Sequence, residues 1–191
     1  MTPPPATARG PTILGKATMG LNFTVGGTKG TFEEGLAQEV ACVLDNAFGA
    51  EGDWEGTAPR QFGELGETGW SELQSRALEE LGPEALANLL ALGPDGRGVY
   101  LPTHVQAVAL PLPQGQSLRC ASLPGLRREL AELAERWDVP LDDDALRDLI
   151  NVGQDPDDGW VADAPEILTF ARLVLAANEA VRRDCPLWLL G

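Results

Sequence analysis

One histidine, one tyrosine and two lysines are all that the 191 residues contain of those types. Scarce histidine thins the supply of side chains that titrate near neutral pH or ligate transition metals. Scarce lysine leaves 14 basic residues against 29 acidic ones and a formal net charge of −15. That balance argues against a general nucleic-acid binder, whose affinity comes from cations neutralising phosphates. The three cysteines, Cys42, Cys120 and Cys185, are odd in number, far apart and without a Cys-x-x-Cys pair. A disulfide framework or zinc site is therefore not expected, and reduced thiols in a cytoplasmic setting are. No window approaches the ~18 uncharged apolar residues of a spanning helix, so no membrane association is expected.

What remains is an ordinary globular composition: 43% apolar residues, too many for the acidity to signal wholesale disorder. Arginine outnumbers lysine twelve to two beside abundant Ala, Gly, Leu and Pro, which reads as the coding bias of a GC-rich bacterium. The opening stretch, residues 1–11, has three successive prolines and no apolar core. It reads as a flexible, polyproline-like tail and not as a secretory signal. Residues 12–191 read as one domain, with a split near 115 as the alternative.

Residues 18–25, T-M-G-L-N-F-T-V, have strand character and end in the turn G-G-T-K-G. Thr31 and Glu34 then suit a capping box, opening a helix that Gly49 should end after Phe48. Residues 49–69 carry six glycines and no period of two or 3.6, and read as a long loop that anchors itself through Trp54 and Phe62. Helical spacing returns over 70–81 and again over 83–92, where Pro83 stands at N1 and Leu86, Leu89 and Leu90 form a stripe. Strands are expected at 99–101, 105–112 and 117–122. The last two suit a hairpin, and Pro111 and Pro113 imply that the first of them lies at an edge or ends there. Leu126, Leu130, Leu133, Ala134 and Trp137 mark one helix, with Arg128, Glu132 and Arg136 on its opposite face. A shorter helix opens at Asp142. Asp163 and Glu166 bracket Pro165 at the start of a helix over 164–183, apolar on most sides and therefore buried. The tail P-L-W-L-L-G adds a strand or docks as an apolar segment. These elements predict an α+β fold, predominantly helical, with about five helices packed on a small antiparallel sheet.

Two places invite a chemical reading. The turn Gly26-Gly27-Thr28-Lys29-Gly30-Thr31 joins a strand to a helix, the setting in which backbone N–H groups face an anion, and Lys29 adds charge. It lacks the G-x-x-x-x-G-K-[ST] spacing, so a simple glycine turn weighs against a phosphate site. The second place is the pair of acidic, aromatic-bearing loops: Asp53, Trp54, Glu55 and Phe62 in one, Asp157, Asp158 and Trp160 in the other. Exposed aromatics among acids make a recognition surface; folded back, they are loop anchors. Asp155 to Glu166 fails as a calcium loop, because Gly159 stands where a ligand belongs and Trp160 where the glycine belongs. His104 and Cys120 would form a thiol–imidazole pair only if neighbouring strands brought them together.

No metal or other cofactor is implied, and no catalytic signature emerges. The reading favoured by these residues is a non-catalytic, acidic cytoplasmic protein that binds a basic protein surface, as an inhibitor, an immunity-type protein or a nucleic-acid mimic does. A phosphate-ligand binder or transferase using residues 26–31 is the alternative, and single-stranded nucleic-acid binding through Trp54 and Trp160 is a third reading. The apolar surface of 164–183 and the segment 187–190 suit a homodimer.

Overall fold

The computed structural model describes residues 21–49, 54–65, 68–153 and 164–191. Strand β1 (Leu21–Val25) leads through a glycine turn into helix α1 (Glu34–Phe48), and β2 (Arg60–Leu65) returns antiparallel to β1. Helix α2 (Gly69–Leu81) is followed by strands β3 (Gly98–Leu101), β4 (Val108–Pro111) and β5 (Ser117–Ser122). Helices α3 (Leu123–Trp137), α4 (Asp143–Val152) and α5 (Pro165–Arg183) precede a final strand, β6 (Leu187–Leu190). The described residues thus form an α+β fold of five helices and a six-stranded sheet.

The sheet runs in the order β2-β1-β6-β3-β5-β4. Expected to be antiparallel, it is mixed: β3 and β5 pair in parallel, Val99 opposite Cys120 and Leu101 opposite Ser122. The proline in β4 explains the exception. Pro111 offers no N–H to a neighbour, so β4 is tolerated only at an edge. Its hairpin partner β5 takes the inner place; the hairpin is as expected, and its register sets Val108 opposite Cys120 and Pro111 opposite Ser117. Strand β6, buried along most of its length, fills the centre between β1 and β3.

Strand side chains alternate between the two faces of the sheet. Phe23, Val25, Tyr100, Leu187 and Leu189 face a large core shared with α2, α3, α4 and α5. Val99, Leu101, Leu118, Cys120 and Trp188 face a smaller one covered by Val40, Ala41 and Leu44 of α1 together with Trp54. Fully burying such a large apolar side chain contributes about 1.5–3 kcal/mol. The expectation for the last helix holds: Phe170, Ala171, Leu173 and Ala176 of α5 are wholly buried. Its alanines let α2 approach, so that Gly69 sits against the Thr169 hydroxyl.

The helix ends follow local chemistry. Ser122 caps α3 by accepting from the Gly125 N–H at 3.0 Å, and Asp142 caps α4 by accepting from Asp144 and Ala145. Gly49, at φ +82°, ends α1 where expected. One boundary differs. The capping box at Thr31 does not form: α1 begins at Glu34, and the Thr31 hydroxyl donates to the Gly27 carbonyl at 2.7 Å. Asp163 lies outside the described residues; Ala164 precedes α5, and Glu166 ion-pairs with Arg76 of α2 at 2.6 Å. Residues 18–20 of the first expected strand are also outside.

Two longer segments depart from their reading. The supposed loop 49–69 contains β2, whose residues are mostly exposed and interrupted by Gly63. The supposed helix 83–92 is a short 3₁₀ turn at Pro83–Ala85 followed by successive turns, although Leu86, Leu89 and Leu92 are fully buried. A carboxylate from another helix accounts for it. Glu129 of α3 accepts the backbone N–H of Asn88 at 2.8 Å, the Asn88 side-chain amide at 2.7 Å and the Leu89 N–H at 2.7 Å. An acceptor bearing full charge competes successfully with the carbonyls of a helix.

Candidate functional site

Four of the six backbone amides of the turn 26–31 donate to carbonyls of the protein. The Gly26 N–H donates to Pro186, the Gly27 N–H to Thr57 and the Thr28 N–H to Trp54, at 3.0, 2.8 and 2.6 Å. The Thr31 N–H donates to Thr28. The Gly26 carbonyl accepts from Trp188 Nε1 at 2.8 Å. Glycine is needed at 26 and 27 for close chain crossing: a Cβ at Gly26 would stand 2.7 Å from Pro59 Cα, and one at Gly27 would stand 2.7 Å from the Glu55 carbonyl. The amides that an anion site requires at Gly26, Gly27, Thr28 and Thr31 are therefore turned to the protein's own carbonyls. Lys29 forms an exposed pair with Glu55 at 3.2 Å, while Gly30 provides the positive-φ bend before α1.

The aromatic loop resolves differently from its recognition reading. Trp54 is 3% exposed and packs in the smaller core, while Phe62 is half-buried against the larger one beneath the Arg60 guanidinium. The two rings thus serve opposite faces of the sheet and share no surface. Among the described residues of that group only Glu55 is exposed. Asp53, Asp157, Asp158 and Trp160 lie outside the described residues. Trp54 Nε1 and Thr28 Oγ1 are buried without a hydrogen-bond partner among the described residues.

The candidate nucleophiles are poorly placed for chemistry. Cys120 is wholly buried and burial pushes its thiol up to about 12; Cys185 is likewise buried and pushed up to about 11. Thiolate, not thiol, is the reactive form. His104 stands exposed before β4. Tyr100 is buried in the larger core, its ionisation opposed by burial and by the nearby Glu129 charge, and its hydroxyl has no partner among the described residues. No group of three or more His, Cys, Asp or Glu among the described residues is placed to hold a metal ion. None of the described helices is long and apolar enough to cross a membrane.

What the sequence reading missed is the outer face of α1. Its buried stripe, Ala37, Val40, Ala41 and Leu44, turns the remaining positions outward by the 3.6-residue period. Glu34, Gln38, Glu39, Cys42, Asp45 and Asn46 are all exposed there, with Glu33 immediately before. Between Glu34 and Phe48 there is no lysine or arginine, and Lys29 of the preceding turn is engaged by Glu55. The carboxylates span about 16 Å of helix at 1.5 Å per residue. The signal was present in the sequence as a cation-free helix but is weak without knowing that no other described helix covers this face.

Charges on β2, α4 and α5 are cross-linked. Glu179 accepts from Arg60 of β2 at 3.1 Å and from Arg182 at 2.7 Å. Arg182 continues to Asp143 of α4 at 2.7 Å, and Asp143 also accepts from Asn178 at 2.9 Å. Hydrogen bonding from Arg182, outweighing partial burial and helped by Arg60, holds the Glu179 carboxyl below its usual value. Partial burial pushes Asp143 upward, but the Arg182 and Asn178 bonds and the nearby arginine charges prevail and hold it low as well. Comparison with family models, with curated proteins and with solved structures finds no match for this chain.

Proposed function

We propose that this chain is a non-catalytic cytoplasmic binding protein whose α1 face docks a basic surface of another protein. The observation that supports this reading is the outward row Glu33, Glu34, Glu39 and Asp45, free of cations over a whole helix. Acids elsewhere are partly spent on Arg60, Arg147 and Arg182, whereas these face solvent. None of these acids stands three or four residues from another, so they repel one another little within the helix. Against a positive partner the same row accelerates encounter and fixes orientation.

Measuring association of the full chain with an immobilised Lys/Arg-rich peptide between about 20 and 300 mM salt tests the reading. Binding should weaken steeply with salt, and the triple variant Glu34→Gln, Glu39→Gln, Asp45→Asn should bind at least tenfold more weakly at low salt with a shallower salt slope. Equal binding by the triple variant, or none by the wild type at low salt, rejects it.

A further inference from the structure

On the other side of the molecule α3, Leu141 of the connection before α4 and the C-terminal half of α5 enclose a depression of about 340 Å³. Its floor is Leu130, Val174 and Ala177, each at most 3% exposed, and its walls are Leu141 and Val181, which are 42% and 41% exposed. A second depression of the same size shares Arg127, Ala131 and Val181 and extends the groove to Pro102, Pro124 and Arg128. Most described arginines are already held by a carboxylate or a backbone carbonyl, Arg182 on this rim among them. Arg127 and Arg128 are exposed and make no ion pair among the described residues. In a chain of net charge −15, two unengaged guanidinium groups beside an apolar trough are the reverse of the general surface. Both lie just beyond the first turn of α3. Asp184 borders the far end and is the single carboxylate among the lining residues.

We infer that this groove binds an acidic amphipathic segment of a partner protein, its apolar side chains entering the Leu130–Val174–Ala177 trough and its carboxylates meeting Arg127 and Arg128. Charge complementarity decides the occupant: planar guanidinium groups favour carboxylates in bidentate geometry, and the exposed Leu141 and Val181 offer apolar contacts beside them. The site is independent of the α1 face, so the protein would hold a basic partner and an acidic one on separate surfaces.

Panning a random dodecapeptide library against the full chain tests this. Enriched peptides should carry Asp or Glu beside Leu, Ile, Val or Phe. They should bind Arg127→Glu/Arg128→Glu at least tenfold more weakly and Val181→Gln several-fold more weakly. Arg97→Glu/Arg136→Glu, which makes the same charge change at exposed arginines outside the groove, should bind within twofold of wild type. Circular dichroism and thermal melting establish that each variant is folded. Basic or neutral peptides, no enrichment, or equal binding to the groove variants overturns the inference. So does preferential binding of Arg127 and Arg128 to phosphatidylglycerol vesicles, or a self-association that their charge reversal abolishes.

Discussion

Glu129 shows how much a single side chain decides here. Its two oxygens take three N–H donors from Asn88 and Leu89, and Asn88 in turn accepts from the Ser122 N–H at 3.1 Å. One carboxylate therefore joins α3, the turns after α2 and the end of β5. Glu129→Gln keeps the shape but replaces an acceptor of full charge by an amide that brings its own donors. A loss of about 1–3 kcal/mol is expected, measured as a fall in the urea midpoint at constant slope. The neighbouring Tyr100 carries the opposite expectation. Its buried hydroxyl lacks a partner among the described residues, so Tyr100→Phe should leave stability unchanged or raise it, and a loss above about 1 kcal/mol would reveal a hidden partner. Residues also mark where sequence reading ends. Leu86, Leu89 and Leu90 are spaced as a helix would space them, and nothing local discloses that a carboxylate forty residues away will claim the backbone donors. Gly26 and Gly27 are correctly seen as a turn, but what crosses them, the 54–59 segment, is a tertiary fact.

At the scale of elements, legibility followed burial. Helix α5 was plain from its apolar breadth, and the β4–β5 hairpin from Pro111 and the following Pro-Gln-Gly-Gln turn. Strand β2 was invisible because both of its faces are largely exposed, so Arg60-Gln61-Phe62-Gly63-Glu64 carries no alternation to detect. The cation-free α1 face, likewise, becomes a candidate site only when the packing shows which side is outward. Strand β2 is held to the rest partly by charge: Arg60 to Glu179, Arg172 of α5 to the Glu64 carbonyl at 2.9 Å, and Arg182 on to Asp143. Because Asp143 and Glu179 both titrate below their unfolded values, the network stabilises fully above the unfolded carboxylate range near pH 4 and is lost as pH falls through the lower folded values. Asp143→Asn/Glu179→Gln should accordingly be less stable than wild type at pH 7, with the gap closing between about pH 4 and 2 in pH-resolved urea unfolding. A gap that persists unchanged at pH 2 would show that packing, not charge, is what the substitutions removed.

For the molecule as a whole, net charge −15 implies self-repulsion that salt relieves. Raising sodium chloride from about 20 to 300 mM should lift Tm by a few degrees, despite weakening exposed pairs such as Lys29–Glu55, each worth only about 0.2–1 kcal/mol. A falling Tm would mean that the cross-linked arginines outweigh the surplus. Topology sets a further condition. Leu187–Leu190 joins two ribbons, β2–β1 and β3–β5–β4, and its pairing of Leu190 with Asn22 spans nearly the entire described sequence. Contacts of such sequence separation are made late and slowly. Until that strand arrives, two raw edges face an empty slot that any other copy's Leu-Trp-Leu-Leu fits equally well. Crowded refolding should therefore yield exchanged dimers, each molecule completed by its neighbour's last strand, and dilution should abolish them.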